Sequence, residues 1–324
     1  MTVLITGPTG AVGQYVVEHA LKSDEQVRVL ALPHTLHRLP YRNRIEIVPG
    51  SLDYADALAE AVRDIDVVYH TAILSPPPFR AVEEMQQVNT VGTRRLLEAC
   101  AGSISRFVFV SSVNVYTPHR TPDTWPVRDD AARLAHGNPQ LVAVGQTLID
   151  AEDYVFEANA RYGMEYTILR PTTVCGRTAR FAELTIRQLM RDPSQAERTN
   201  AMWGTMQWVH GIDVARAALL AAGHVGAKNE RFIVAGSEAI TAYSLLAELW
   251  DITNPTDDNP FAEAAEANRP PLCKFDIGKI RNALGFVPEI PVRQCLMELL
   301  GRYDFFTATS LNLPTRPSVL EFEL

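Results

Sequence analysis

With 324 residues, 47% of them hydrophobic, the chain is long enough to bury one large core, or one core with a smaller appended lobe, as a soluble α/β enzyme does. Its 30 basic against 38 acidic residues leave no basic face for a phosphate backbone, which argues against nucleic acid as a partner. Apolar runs such as VARAALLAA (214–222) are too short to cross a bilayer and no charged-then-apolar leader precedes the first strand, so a cytoplasmic protein without a membrane partner is expected.

In chain order, short β-branched runs alternate with helical periodicity: TVLIT (2–6), a helix over 11–22, VRVLAL (27–32), RIEIV (44–48), a helix over 54–63, then DVVYHTA (66–72). A helix over 82–100 leads into RFVFVSS (106–112), and another over 145–162 leads into EYTILRP (165–171). Alternation of this kind builds a parallel sheet wrapped by helices, with six strands by residue 171. Beyond it the pattern loosens into a helix over 179–191, the strand TMQWVH (205–210), a helix over 213–222, the strand RFIVAG (231–236) and helices near 241–250 and 291–303. The tail LNLPTRPSVLEFEL has no periodicity and is expected along the surface or on a partner subunit. Cys100, Cys175, Cys273 and Cys295 are scattered without metal-type spacing, so they read as small buried apolar residues and no metal site is expected.

Between the first strand and first helix stands GPTGAVG, with Gly7, Gly10 and Gly13 spaced so that a tight turn opens a helix. Bare backbone there lets a pyrophosphate reach unpaired amides at the positive end of the helix. The context, strand before and helix after, is the one this motif needs, although the glycines also suit plain strand-to-helix packing. The reading is therefore α/β: a Rossmann-type doubly wound parallel sheet over residues 1–174, and a smaller C-terminal substrate lobe mainly over 175–324, some segments of which return to the sheet.

Further segments keep a consistent order: VVYHTAI (67–73), VNTVGT (88–93), FVFVSSVNVY (107–116), ILRPTTVCG (168–176), WVHGIDVARA (208–217) and DIGKIRNALGFVP (276–288). With TGPTGAVG (6–13) they resemble the extended short-chain dehydrogenase/reductase family, the group of nucleotide-sugar epimerases and dehydratases, dihydroflavonol-type reductases and hydroxysteroid dehydrogenases. The resemblance spans roughly residues 1–300. It implies an NAD(P) site made by Gly7, Thr9, Gly10, Ala11, Val12 and Gly13, by Ser51 and Leu52, by Thr71, Ala72 and Ile73, by Asn89, and by Pro171 and Val174 beside the nicotinamide. It also implies a homodimer through the helices at 82–100 and 145–162.

That family carries out proton transfer with a tyrosine and a lysine one helical turn apart, in the pattern Tyr-x-x-Ser-Lys-x-x-Ala-Glu. A nearby cation lowers a phenol whose ordinary pKa of about 10 makes it a poor base at neutral pH. Anchored on Ala151 and Glu152, the pattern puts Val144 at the tyrosine, Thr147 at the serine and Leu148 at the lysine. No shift rescues it, because no Tyr-x-x-x-Lys exists in the chain and no lysine stands between Lys22 and Lys228. Ser112, which would orient a substrate oxygen, remains, and reads equally as a strand-end turn hydroxyl. Tyr116, Asp150 or a water held by Ser112 are the candidate substitutes for the lost proton carrier. Glu152 fits a structural helix position, and His70 and His210 read as scaffold.

Other departures narrow the expectation. Ser51 stands where the family usually has an adenine-holding carboxylate, and ALPHTLHR offers no acid for a ribose hydroxyl, while His34, His37 and Arg38 suit a 2′-phosphate, a lean to NADP over NAD. Met206 stands where nucleotide-sugar enzymes carry a diphosphate-gripping arginine. With Val144, Cys175, Met202, Trp203 and Trp208 it suggests an apolar substrate pocket, closed by a loop over 117–130 carrying His119, Asp123 and Trp125, although Met and Trp at a strand edge are more often core. Three functions follow: a non-reductive isomerase, lyase or cyclase of a biosynthetic pathway acting on an apolar metabolite, with cofactor bound but not turned over; a non-catalytic NAD(P)-binding regulatory or scaffold protein; or an NAD(P)H-dependent oxidoreductase with a substitute proton donor. The first is preferred.

Overall fold

Seven parallel strands form the centre of the computed structural model, which describes residues 1–39, 41–74, 81–116, 126–133, 139–270 and 273–301. The strands in chain order are Thr2–Thr6 (β1), Gln26–Ala31 (β2), Glu46–Pro49 (β3), Val67–His70 (β4), Arg106–Val110 (β5) and Tyr166–Pro171 (β6). Thr173–Cys175 (β7) and Trp208–His210 (β8) pair separately, and Glu230–Val234 (β9) returns to the main sheet, whose order is β3-β2-β1-β4-β5-β6-β9. β4, β5 and β6 are buried along their whole length, as runs such as VVYH and RFVFV require when helices cover both faces.

Gly13–Lys22 (α1) and Gly211–Gly223 (α8) pack on each other in one helical layer. Ala55–Ala61 (α2), Val82–Met85 (α3), Thr93–Ala99 (α4) and Pro139–Tyr162 (α5) make a second, in which α4 and α5 lie side by side. Arg180–Arg191 (α6), Gln195–Trp203 (α7), Ala242–Thr253 (α9), Ala262–Ala267 (α10) and Val292–Leu299 (α12) belong to the lobe, while Gly278–Leu284 (α11) packs on β9. Two apolar cores result. One holds the sheet and takes in Val209, Val214 and Phe232 from beyond residue 174, and the other joins Ile186, Trp208, Leu245 and Leu296 in the lobe.

The helix expected over 82–100 is not uniform: Gln86–Gly92 is π-helical. Its wider turn lets Asn89 and Thr90 both turn inward, where Asn89 bonds Thr147 Oγ1 at 3.1 Å and Thr90 donates to the Thr147 carbonyl at 2.9 Å. The strand expected over 205–210 shortens to β8, with Met206 making only an antiparallel bridge to Ile240. Cys175 and Cys295 are not two unrelated core residues but a disulfide pair, Cα to Cα 5.9 Å apart, whereas Cys100 and Cys273 remain free. The tail and residues 117–125 lie outside the described residues.

The sheet and α5 are joined by a buried ion pair. Arg170 of β6, 1% exposed, places Nε 2.9 Å and Nη2 2.5 Å from the two carboxylate oxygens of Glu152, which is wholly buried. Glu152 also accepts from Ser111 at 2.8 Å and from Arg133 at 3.3 Å, so each oxygen is satisfied by more than one donor. Removing one partner strands a charge away from water. Glu152→Leu should therefore cost about 3–5 kcal/mol in denaturant unfolding, with Glu152→Leu/Arg170→Met recovering much of it. A single variant within about 1 kcal/mol of the parent would show that the pair is not fully desolvated.

Candidate functional site

At β1 the strand order reverses, β2 lying on one side and β4 on the other, which opens a crevice beyond their carboxyl ends. The glycine turn fills its floor. Gly7 has φ +67°, and a Cβ there would stand 2.8 Å from the Ala72 backbone, so only glycine fits. A Cβ on Gly13 would overlap the Gly7 carbonyl and lie 2.6 Å from Thr71 Oγ1. The Gly10 amide donates to Gly7 O at 3.0 Å and the Thr71 hydroxyl to Thr6 O at 2.7 Å, which closes the turn against β4. Gly10 is exposed with Thr9 and Ala11 half-buried beside it, while Val12 is buried. No side chain caps α1 at Val12 and no acid stands in its first turn. A helix start with no side-chain cap, its positive end and bare backbone at Gly10 fit the pyrophosphate of a dinucleotide.

Around this turn, β2 runs out at Ala31 into an exposed Leu32 and the short helix Pro33–Arg38, on which His34 and Arg38 are exposed. Ser51 accepts the Asp53 amide at 3.2 Å in a local turn, and Leu52 packs so closely on Gly92 that a Cβ there would be 2.8 Å from it. Asn89 takes a role different from direct cofactor contact. It is wholly buried, accepting the Leu74 amide at 2.8 Å and donating to the Leu74 carbonyl at 3.2 Å, so it braces the loop that carries Thr71, Ala72 and Ile73. Pro171 closes β6 and Val174 is half-buried in β7. Between them the buried Thr172 hydroxyl finds no partner among the described residues.

His70 is a scaffold group. The Thr93 hydroxyl gives its proton to Asn89 O at 2.6 Å, so His70 Nε2 donates to Thr93 at 2.8 Å and Nδ1 accepts from Thr6 at 2.6 Å. Burial pushes this imidazole down to about 3, which keeps it neutral.

The chemical end of the site is apolar where the resemblance puts a phenol and an ammonium. Val144 is 2% exposed and Leu148 wholly buried, both in the sheet's core, while Thr147 between them donates to Val144 O at 2.8 Å. Neither proposed proton carrier is poised. Tyr116 donates to Asp129 O at 3.0 Å and accepts from Arg170, and burial, partly opposed by Arg170, pushes its phenol up to about 12. Asp150 lies on the half-exposed side of α5, held by Gln146 at 2.7 Å. Ser112 accepts the Asn114 amide at 3.2 Å, the strand-end turn, and is half-buried with its hydroxyl proton uncommitted among the described hydrogen bonds.

The expected apolar pocket needs correction. Cys175, Met206 and Trp208 are 0%, 7% and 1% exposed and pack into the lobe's own core, so they do not form an open wall. His119, Asp123 and Trp125 lie outside the described residues, as do the side chains of Met202 and Trp203. A buried hub escapes the sequence reading. His210 Nδ1 accepts the Ile212 amide at 3.1 Å, so Nε2 carries the proton and donates to Glu298 at 2.7 Å. Tyr15 of α1 also reaches Glu298, at 3.1 Å, and burial and that carboxylate push its phenol up. Among the described residues no cluster of ligating side chains is arranged for a metal.

Residues 3–235 match the NAD dependent epimerase/dehydratase family. The chain belongs to that family. Among its relatives is human 3 beta-hydroxysteroid dehydrogenase type 7, 27% identical over 249 residues, covering 68% of this chain and 66% of that protein. A short-chain dehydrogenase/reductase superfamily protein from Agrobacterium tumefaciens with bound NAD has the same fold at TM-score 0.71, 24% identity and 92% and 96% coverage of the two chains. UDP-glucose 4-epimerase from Thermotoga maritima with UDP-glucose does so at TM-score 0.74, 21% identity and 95% and 99% coverage. Structural neighbours of this family member therefore hold NAD over the same kind of fold.

If Gly10 is the point of closest approach of the pyrophosphate, a methyl group there should block it without harming the fold, since a Cβ at Gly10 meets only Gly7 O, at 3.3 Å. Gly10→Ala is expected to keep its unfolding temperature within a few degrees and to bind nicotinamide dinucleotides about ten-fold or more weakly by titration. Unchanged affinity would move the pyrophosphate elsewhere.

Proposed function

We propose that this protein binds a nicotinamide dinucleotide and converts an apolar small metabolite without net hydride transfer, by isomerisation, elimination or ring closure. One observation carries the reading: the glycine turn is complete, while Val144 and Leu148, which the resemblance aligns with the proton relay, are buried hydrocarbon. A leucine supplies no cation to lower a phenol, and a valine supplies no phenol, so ordinary carbonyl reduction loses a contribution of roughly a hundred- to ten-thousand-fold. Binding and orientation can still accelerate a reaction that needs little acid or base help. When bound, the cofactor supplies a hydride acceptor or donor face; in this reading it acts as a fixed wall of the site. Ser112, with its hydroxyl proton available, is the residue that orients a substrate oxygen.

An apolar substrate is supported by the likeness to a protein named for a hydroxysteroid. NADP is preferred to NAD because His34 and Arg38 are exposed beside a β2 end that has no carboxylate. The protein works in the cytoplasm, as a homodimer through α4 and α5. The oxidoreductase reading is left with a water held by Ser112 as its donor, since Tyr116 is bound on both sides and Asp150 is held by Gln146.

The purified protein with NADPH or NADP should be given a panel of sterol and terpenoid alcohols and ketones, with mass spectrometry of products and nicotinamide absorbance followed together. Product with an unchanged cofactor is expected. One cofactor oxidised or reduced per product would refute the reading.

A further inference from the structure

The Cys175–Cys295 pair lies next to the buried hub, and the hub reaches Gln14 and Tyr15 in the first turn of α1, just beyond the glycine turn. Cys175 ends β7, and the following residues 176–178 dock on the start of α1, where Gln14 Nε2 donates to Arg177 O at 2.9 Å and to Thr178 Oγ1 at 3.0 Å. The Arg177 amide donates to Tyr15 Oη at 3.0 Å. Gly176 has φ +110°, and a Cβ there would stand 2.8 Å from both His210 Nε2 and Tyr15 Oη, so the turn has no slack. From the other side, Cys295 and Glu298 sit on the same face of α12, and Glu298 holds Tyr15, His210 and Arg177 at 3.1, 2.7 and 3.1 Å. α12 thus grips the turn twice, by a carboxylate and by a sulfur. The reduced form is provided for as well, because a Cys175 thiol has Val209 O at 3.5 Å to donate to.

We propose that the Cys175–Cys295 bond is a redox latch: when formed, it clamps α12 on β7 and holds residues 176–178 against the cofactor helix, and when reduced it loosens that turn and weakens dinucleotide binding. In the closing step the two thiols and one low-molecular-weight disulfide exchange, giving one protein S–S bond and two small thiols; the two electrons and two protons pass to the small disulfide. Both sulfurs are buried, so exchange needs α12 to swing outward, a local opening of the last helix described. The bond ties positions 120 residues apart, which removes freedom from α12 whenever the lobe loosens.

The part about affinity rests on the dinucleotide reading above, and the experiment separates the two. The full chain would be treated with oxidised glutathione or with dithiothreitol, its thiols counted by alkylation after denaturation, and residues 176–178 followed by amide hydrogen exchange. Both forms would then be titrated with NADPH and NADH. After oxidation two of the four cysteines, Cys100 and Cys273, should alkylate. In the reduced form residues 176–178 should exchange faster and dinucleotide affinity should fall about five-fold or more. Gln14→Ala should abolish the redox dependence of affinity, which a merely stabilising bond would not predict. Four alkylated cysteines after oxidation, or equal exchange in the two forms, would overturn the latch. Faster exchange in the reduced form with no dinucleotide bound in either form would uphold the latch and reject the dinucleotide reading.

Discussion

A guanidinium and a carboxylate shut away from water hold the longest described helix of the fold in register on the sheet. Arg170 is the one charged residue in β6, and Glu152 stands deep in α5, so their pairing fixes where the helix lies on the sheet. A buried ion pair is a poor source of net stability against an apolar alternative, because both charges lose hydration. Its value is geometric. It sets α5 so that Val144, Thr147 and Leu148 face the π-helical stretch and the strand-end turn, and it recruits Tyr116 and Ser111 as hydrogen-bond partners. The same constraint explains why the phenol nearest the site is unavailable for proton transfer: its oxygen completes the solvation of Arg170.

The site is consequently split in character. Its cofactor end is polar in backbone and spare in side chains, with glycine positions that tolerate no Cβ and a helix end that no side chain caps. The end at Val144 and Leu148 is hydrocarbon, backed by the Thr147 and Thr90 hydroxyls, which donate to carbonyls. The two ends are joined by an amide and not by a cation: Asn89 bonds Leu74 on one side and Thr147 on the other. The lobe joins the start of α1 differently, through Tyr15, His210, Glu298 and the turn after β7, a set of contacts that does not involve α5.

Much of this was legible in the sequence where a residue type had one physical use. Gly7 and Gly13 announce a turn because nothing else fits there, and the alternation of β-branched runs with amphipathic stretches announces a parallel sheet. The burial of Arg170 inside ILRP and its pairing with Glu152 emerge only from the fold. Pairings between distant positions stayed hidden for the same reason: Cys175 and Cys295 are 120 residues apart, and Asn89 finds Leu74 across a loop. The π-helical stretch reads as ordinary helix because its composition is ordinary. Met206 and Trp208 show the limit of hydrophobicity itself, which tells that a side chain is buried but not whether protein or ligand buries it.

The central claim is that a working dinucleotide site survives beside an active centre without its proton relay. Calorimetric titration of the cofactor-stripped protein with NADPH, NADP, NADH and NAD tests it most directly. The account predicts saturable binding of at least one of them, with NADPH or NADP favoured. Absence of heat and of any competitive displacement for all four would contradict it, and would leave the glycine turn as a joint between strand and helix.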